Sequence, residues 1–373
     1  MNHSDSNSNA MMKIRSAAEY LTGRVSDGCG DFVSLMADYW REAVHRWRNR
    51  AMKQALWKAA LEEFEADYAR AYAPDLSRNP DVGRPFLLMP RIPARAGIVL
   101  VHGYMAAPLE VRALGNYLRD RHFAVLGVRL KGHGTAPEDL ASRHYEEWYA
   151  SVLRGIELME QITGKIGVCG FSAGGDLALL AAARLEKRIR AVATVCAPLR
   201  LRNRAAALAP SIVRVNAFMK RIGLNRFQWD YIENRPENPH INYSLNPLSG
   251  VETLRALMQE TENALPKIQS GLLVVQASED PVVHPESAAE IFNLAGTRDK
   301  TLLLLSRDRH GIVNGEGSEA VFDALYRFFA LHLLARARRP VKTHPEIPAS
   351  AIPALDVQDE PAASSGNVST VSP

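Results

Sequence analysis

Short apolar runs alternate along this chain with helix-length amphipathic segments, and this alternation limits the folds that the chain can adopt. The apolar runs, rich in β-branched residues, occupy 97–101, 123–128, 166–169, 191–196, 272–277 and 301–305. Amphipathic segments lie between most of them, at 109–120, 145–162, 173–185 and 286–294, and a last one spans 318–337. Strands that are apolar on both faces and alternate with helices predict a mostly parallel sheet with helices on both faces. The chain is therefore expected to adopt an α/β fold.

Changes in composition and in hydrophobic periodicity along the chain predict its domain organisation. Residues 1–11 are polar and are expected to be disordered, residues 12–80 form a helical extension, and residues 81–337 form the α/β domain. Residues 338–373 are rich in Pro, Ala and Ser and are expected to be a disordered tail. Within the α/β domain, an insertion at about 199–270 interrupts the alternation. Its residues are largely apolar, and its place at the strand ends is where such sheets bind ligands.

The N-terminal extension carries two apolar stripes at helical spacing, which predict helices and allow a helical hairpin. Its basic residues would suit peripheral contact with a membrane surface. Packing against the α/β domain is the favoured alternative, because the tryptophans of this region need burial. The stripes run through Phe32, Leu35, Met36, Tyr39, Trp40, Val44 and Trp47, then Leu56, Ala60, Leu61, Phe64 and Tyr68, and the basic residues are Arg41, Arg46, Arg48 and Arg50.

Charge and cysteine usage exclude several classes of protein. Lys and Arg (45) nearly balance Asp and Glu (41), and the net charge of +4 argues against nucleic acid as the main partner. Three cysteines are too few for a disulfide framework. The first ten residues lack the apolar region of a signal peptide, and no stretch reaches the ~18 apolar residues of a membrane span. A cytoplasmic location is the expectation.

The motif that carries chemistry is Gly170-Phe171-Ser172-Ala173-Gly174, placed between the apolar run 166–169 and the helical segment 173–185. A Gly-x-Ser-x-Gly sequence is common by chance, but on a strand-to-helix turn it is typical of a nucleophilic serine. The glycines permit a turn so tight that the serine backbone is strained and its hydroxyl points outward. Ser172 is therefore the predicted nucleophile.

A serine hydroxyl needs a base to take its proton, and the base needs a carboxylate to orient it. The base is predicted to be His310, after the run 301–305, and the acid Asp280, after the run 272–277. Glu279 and Asp308 are competing acids, with Asp280 favoured because Pro281 fixes the turn just after it. His102 and His133 precede the nucleophile and are expected instead to hold glycine-rich turns by hydrogen bonds.

A tetrahedral intermediate also needs backbone donors for its oxyanion. One is expected to be the amide of Ala173, at a helix N-terminus where free amides point outward. The other is expected in the loop after the first long strand, Val101-His102-Gly103-Tyr104-Met105, where the amide of Tyr104 is the candidate donor.

From about residue 98 to residue 329 the chain resembles the bacterial carboxylesterase and monoacylglycerol-lipase branch of the α/β hydrolases, which includes serine aminopeptidase S33-like hydrolases. The resemblance implies an eight-stranded, mostly parallel sheet, a small cap, no metal and no cofactor. It also implies Ser172 as nucleophile, Asp280 as acid, His310 as base, and the amides of Tyr104 and Ala173 as the oxyanion hole. The segments that carry it are Val101-His102-Gly103-Tyr104, Arg129-Leu130-Lys131-Gly132-His133-Gly134-Thr135, the Ser172 motif, Cys196-Ala197-Pro198, Val274-Val275-Gln276-Ala277 and His310.

The function expected on these grounds is hydrolysis of a small-molecule acyl ester through an acyl-serine intermediate. The apolar insertion suggests medium or long acyl chains, with Phe218 and Met219 as candidate substrate-binding residues. Rivals within the fold are a thioesterase, an acyltransferase and an S33-type peptidase. A rival of another class is a non-catalytic protein that binds a hydrophobic ligand, which an incomplete set of catalytic residues would have favoured.

Overall fold

The computed structural model describes residues 30–202, 221 and 230–334, with side chains from residue 49 onward. The segments expected to be disordered, 1–11 and 338–373, lie outside the described residues. The helices are α1 Gly30–Ala71, α2 Pro80–Gly83, α3 Arg112–Arg119, α4 Pro137–Ala141, α5 Tyr145–Glu160, α6 Ala173–Leu185, α7 Leu248–Ala264, α8 Glu286–Leu294 and α9 Ser318–Phe329. The strands are β1 Phe86–Leu88, β2 Gly97–Val101, β3 Ala124–Val128, β4 Ile166–Phe171, β5 Ala191–Val195, β6 Tyr231–Glu233, β7 Leu245–Pro247, β8 Gly271–Ala277 and β9 Lys300–Leu305.

The central sheet has the strand order β1-β3-β2-β4-β5-β8-β9. Strand β1 pairs with β3 in the antiparallel sense, and every other neighbouring pair is parallel. The expected mostly parallel sheet is therefore present, but it has seven strands in the described part of the chain rather than eight. The chain that leads into the edge strand β1 folds as the helices α1 and α2, so it adds no further strand at that edge.

Helices cover both faces of the sheet, and the side-chain period of two decides which residues meet them. In β2, Val99 and Val101 share a core with the apolar faces of α5, α6, α7 and α8. The alternate residues Ile98 and Leu100 share the opposite core with α3 and α9. All five residues of β2 are buried, which explains why the strand reads as an uninterrupted apolar run.

The N-terminal extension differs from the hairpin that the two stripes allowed, because Gly30–Ala71 is one continuous helix of 42 residues. The turn signals that a hairpin needs are missing between the stripes. The side chains of the first stripe lie outside the described residues. In the second stripe, Phe64 is 1% exposed and Leu56 packs against the core, as does Trp57 next to it. The C-terminal half of α1 thus packs on the α/β domain.

A buried ion network joins α1 to the loop after β3. Asp67 is 2% exposed and accepts hydrogen bonds from Arg129 Nη2 at 2.5 Å and Lys131 Nζ at 2.8 Å. Burial alone would raise the pKa of Asp67, but the hydrogen bonds from Lys131 and Arg129 outweigh it and lower that pKa to about 2. The ionised carboxylate therefore holds the loop that follows β3 against α1.

The described part of the predicted insertion contains two different structures. Strands β6 and β7 form a separate two-stranded antiparallel sheet. Helix α7, which the insertion was expected to contribute to a cap, instead packs against α6 and buries Leu254 and Leu257 in the main core. Apolar residues at helical spacing are expected both in a cap helix and in a helix packed on the main core, so the sequence pattern alone does not distinguish these two positions. None of the helices among the described residues combines the length and the hydropathy that a bilayer-spanning segment needs.

Candidate active site

Ser172 lies at the junction between β4 and α6, where the chain turns sharply. Its φ of 53° and ψ of −128° fall in a region that residues other than glycine rarely occupy. Two backbone hydrogen bonds hold this conformation: the Ser172 amide donates to the carbonyl of Val195 at 2.8 Å, and the Gly175 amide donates to the carbonyl of Ser172 at 2.7 Å. Both bonds use the backbone, so the hydroxyl is free for other partners.

The glycines around Ser172 are required by close backbone approach. A Cβ at Gly170 would lie 1.9 Å from the carbonyl oxygen of Gly174, and one at Gly174 would lie 2.4 Å from that of Val101. Neither contact can be relieved by a rotamer change, because both partners are backbone atoms. The Gly-x-Ser-x-Gly spacing is thus required by the tight turn that carries Ser172 beyond the end of β4.

Three of the predicted site residues meet at the carboxyl end of the sheet. His310 Nε2 lies 3.0 Å from Ser172 Oγ, and His310 Nδ1 lies 2.7 Å from Asp280 Oδ2. The Phe171 ring lies 4.9 Å from the imidazole, centroid to centroid, and supports it from one side. A base in contact with a hydroxyl and oriented by a carboxylate is the arrangement that activates a serine nucleophile.

The environment of Asp280 keeps its carboxyl ionised. Its side chain is 0% exposed, and Oδ1 accepts hydrogen bonds from the amides of Val282 at 2.8 Å and Val283 at 2.9 Å. Burial alone would raise the pKa of Asp280, but the hydrogen bond and charge of His310, with the two amides, lower it. A charged carboxylate can orient the imidazole and stabilise an imidazolium. Of the three carboxylates that the sequence offered, Asp280 is the one against the ring.

The two predicted oxyanion donors flank the nucleophile. Ala173 is the first residue of α6, where amides lack partners within the helix. Tyr104 follows Gly103, whose Cβ, if present, would lie 3.3 Å from Ser172 Cβ, so this loop borders the nucleophile. The Tyr104 hydroxyl donates to Asn246 Oδ1 at 3.0 Å, and its ring packs on Trp148. The Tyr104 ring therefore packs beside the site, and the backbone amide of Tyr104 remains the proposed oxyanion donor.

The two histidines that precede the nucleophile hold turns, as their order in the chain suggests. His102 is fully buried; its Nε2 accepts from the amide of Leu130 at 3.2 Å, and its Nδ1 lies 2.9 Å from the carbonyl oxygen of Gly103. Burial lowers the pKa of His102 well below the usual range and that of His133 to about 3. Both imidazoles are neutral, and His102 ties the loop after β2 to the loop after β3.

Glu110 is a site residue that the sequence did not reveal. It is 3% exposed, and its Oε2 accepts a hydrogen bond from the Gly103 amide at 2.7 Å. Burial raises the pKa of Glu110 to about 7; the Gly103 amide and the charge of His310 oppose the rise, and the charge of Glu237 adds to it. The contact engages the amide of Gly103 and so fixes the loop that presents the amide of Tyr104.

Glu110→Gln is expected to change how stability depends on pH. The folded protein holds the Glu110 proton more tightly than the unfolded chain, where glutamate ionises near 4.5. The stability from this proton is complete below pH ~4.5 and is lost as the pH rises through about 7, by about 3 kcal/mol. Urea unfolding at pH 5, 6 and 7 measures it: the glutamine variant should lose less stability across this range than the wild type. Equal losses would show that Glu110 ionises normally.

Cys196 places a thiol beside Asp280 and His310. Cys196 Sγ, a carboxylate oxygen of Asp280 and a ring nitrogen of His310 lie within 4.8 Å of one another. Among the described residues, this is the group of three or more side chains that could ligate a metal ion. Burial, and next the charge of Asp280, raise the pKa of the Cys196 thiol well above its usual range. Metals bind the thiolate, so a thiol kept protonated beside an existing Asp280–His310 hydrogen bond is a poor ligand.

The candidate substrate-binding residues, Phe218 and Met219, lie outside the described residues. The side chains that this structure brings together are therefore those of the chemical step.

Comparison with known proteins places this site in a family context. The family model described as serine aminopeptidase, S33, matches residues 92–317, more than half of the chain. A carboxylesterase of Bacillus subtilis (strain 168) is 27% identical over 62% of this chain and 91% of its own length. A thermostable monoacylglycerol lipase of Bacillus sp. (strain H-257) is 28% identical over 63% of this chain and 91% of its own length.

Solved structures agree on the fold. A structure described under the metagenome-derived lipolytic enzymes LipS and LipT has a TM-score of 0.60 at 22% identity, covering 69% of this chain and 100% of its own. The monoacylglycerol lipase of Paleococcus ferrophilus has a TM-score of 0.54 at 19% identity, covering 66% of this chain and 98% of its own. At these identities the likeness establishes the α/β-hydrolase architecture.

Proposed function

Because this chain belongs to the serine aminopeptidase S33 family of α/β hydrolases, we propose that Ser172 is the nucleophile with which it cleaves medium- or long-chain acyl esters of a small alcohol. The protein is a hydrolase of the esterase and lipase type, and its substrates are small-molecule esters. The observation that carries the proposal is the continuous hydrogen-bonded path from Ser172 Oγ through His310 to Asp280 Oδ2.

In the proposed mechanism, Ser172 Oγ attacks the ester carbonyl carbon while His310 Nε2 takes the hydroxyl proton. The carbonyl oxygen becomes an oxyanion, which the amides of Ala173 and Tyr104 stabilise. The imidazolium that forms is stabilised by the ionised Asp280. Collapse of the intermediate breaks the bond to the alcohol, which leaves with the proton from His310 and gives an acyl-serine.

The second half of the proposed cycle releases the acid. His310 takes a proton from water, the resulting hydroxide attacks the acyl carbon, and the same two amides stabilise the new oxyanion. The bond to Ser172 Oγ then breaks, and His310 returns the proton to the serine. The neutral imidazole that starts each half-reaction is held in the required tautomer by the 2.7 Å contact between Nδ1 and Asp280.

The acyl group is the part of the proposal that rests on relatives and on the composition of the insertion. The two bacterial relatives, a carboxylesterase and a monoacylglycerol lipase, both act on carboxylic esters. A hydrolysis panel tests the class: acyl p-nitrophenyl esters and 1-monoacylglycerols from C2 to C16, acyl-CoA thioesters, and aminoacyl p-nitroanilides. We expect the largest kcat/KM among the esters of eight or more carbons. A larger kcat/KM for a thioester or an anilide would replace the proposal by a thioesterase or a peptidase.

Phe218→Ala and Met219→Ala are expected to change chain-length preference. Each buried methylene of an acyl chain contributes ~0.8 kcal/mol, so a few lost contacts lower the kcat/KM ratio of long over short esters by one or two orders of magnitude. Turnover of a C2 or C4 ester should stay closer to that of the wild type. Equal losses on every chain length, or none, would assign both side chains a structural role and remove the main support for a lipid-like substrate.

Peripheral membrane contact is a secondary part of the proposal, for the region of α1 that contains Arg41, Arg46, Arg48 and Arg50. Clustered arginines on a helix are attracted to anionic lipid headgroups. Co-sedimentation with vesicles, with and without phosphatidylglycerol, tests it. Equal sedimentation with neutral and anionic vesicles would leave packing on the α/β domain as the role of α1.

A further inference from the structure

The segment between β6 and β7, residues 234–244, contacts the loops on both sides of the nucleophile. We call it the bridging segment. On one side, the Tyr243 amide donates to the carbonyl of Met105 at 3.1 Å, within the loop that holds the proposed oxyanion donor. On the other side, Glu237 contacts the loop that contains His310. One short segment therefore sets the positions of two loops that follow different strands of the sheet.

Glu237 holds the backbone at the base itself. Its Oε1 accepts a hydrogen bond from the His310 amide at 2.9 Å, and its Oε2 accepts one from the Gly311 amide at 2.9 Å. Hydrogen bonds to an ionised acceptor are about twice as strong as neutral ones, and two to one carboxylate also fix orientation. The imidazole is attached to this backbone, so a shift of the backbone at residue 310 changes the direction of the imidazole.

Gly311 gives independent support for this contact. A Cβ at Gly311 would lie 2.7 Å from Glu237 Oε2. Its φ is outside the left-handed region, so the backbone conformation does not require glycine here. The absence of a side chain instead makes room for the carboxylate of Glu237.

Charge near the contact is balanced. Arg309 Nε lies 3.8 Å from Glu237 Oε2, and the same guanidinium donates to the carbonyl of Gly311 at 2.9 Å. The Glu237 side chain is 37% exposed, so water reaches the carboxylate while its two oxygens remain on the amides. The arrangement ties residues 309–311 to the bridging segment as one unit.

We propose that Glu237 is a positioning residue for His310: its carboxylate, supplied by the bridging segment, fixes the backbone of residues 310 and 311 so that Nε2 is aligned on Ser172 Oγ. This inference rests on the proposed function, because alignment matters only if His310 is the base. A displacement of about 1 Å between reacting groups can cost roughly 10²-fold in rate. Loss of the carboxylate should therefore lower kcat, which depends on alignment, more than KM.

The test compares Glu237→Ala, Glu237→Gln and Gly311→Ala with a matched control, Glu233→Gln, an exposed carboxylate at the end of β6, just before the bridging segment. We expect kcat on a short ester and the rate of fluorophosphonate labelling of Ser172 to fall about 10- to 100-fold in Glu237→Ala. Glu237→Gln keeps one acceptor and should fall less. KM and the melting temperature should change little, and the control should match the wild type.

A double variant separates this role from general damage. If Gly311→Ala acts by displacing the carboxylate, Glu237→Ala/Gly311→Ala should be no slower than Glu237→Ala alone. Hydrogen exchange at the His310 and Gly311 amides should accelerate in Glu237→Ala and not in the control. Labelling and kcat within twofold of the wild type, or multiplying losses in the double variant, would overturn the proposal.

The same measurements keep the two proposals apart. A wild-type protein that neither hydrolyses esters nor labels at Ser172 would contradict the proposed function, and with it a role for Glu237 in aligning a base. An active wild type with an unimpaired Glu237→Ala variant would contradict only the inference about Glu237.

Discussion

Ser172→Ala is expected to lower kcat by at least ~10³-fold, because the hydroxyl is the proposed nucleophile and the three residues it belongs to act as a unit. The fold should survive the change. The strained backbone at this position is held by hydrogen bonds of the Ser172 amide and carbonyl, which alanine retains. Steady-state hydrolysis of a short p-nitrophenyl ester, with circular dichroism of both proteins, measures the two outcomes.

Covalent labelling provides the control for that variant. A fluorophosphonate probe should modify the wild-type protein at Ser172, identified by peptide mass spectrometry, and should leave Ser172→Ala unmodified. Activity of the alanine variant within tenfold of the wild type would show that another group is the nucleophile. A wild type that resists the probe would favour the non-catalytic hydrophobic-ligand-binding protein over the enzyme.

Asp280→Asn is expected to lower kcat by about 10⁴-fold. The asparagine oxygen can still accept the amides of Val282 and Val283, which turns the NH₂ group toward His310 Nδ1. A donor at that position favours the tautomer with its proton on Nε2, and that tautomer cannot accept a proton from Ser172. The backbone contacts persist, so stability should fall much less than activity.

Glu279→Gln is the matched control, since it removes the neighbouring carboxylate without touching the contact with His310. We expect kcat within a fewfold of the wild type. The two variants are compared at pH 7 and pH 9 with the same ester. If Glu279→Gln were the more impaired variant, Glu279 would be the carboxylate that orients His310, and the assignment of Asp280 would be wrong.

Local patterns in the sequence were enough to predict the architecture. Strands buried on both faces must be apolar at every position, and the helices between them must be apolar along one stripe. Both requirements leave a periodic signature that needs no knowledge of distant contacts. The turn at Ser172 also depends on nearby contacts. A Cβ at position 170 would clash with the backbone of Gly174, and a Cβ at position 174 would clash with the adjacent strand β2.

The order of Ser172, Asp280 and His310 in the chain was also readable, because each follows its own strand and parallel strands end at one edge of a sheet. Pro281 favours Asp280 over the neighbouring Glu279 in the sequence, and the structure places Asp280 against the imidazole of His310. Asp280 and Glu279 differ in which way the turn after β8 directs each side chain, and that direction depends on the amides of Val282 and Val283.

Patterns along the chain thus predict the fold class and the residues proposed for the chemical step. Contacts between distant parts of the chain were needed to see that α1 is one continuous helix, that the sheet has seven strands in the described residues, and that Glu110 and Glu237 lie beside the site. Glu237 is 73 positions from His310, in a segment without a motif. A contact of that kind depends on where the sheet, the insertion and two loops come together in space, and no periodicity along the chain encodes it.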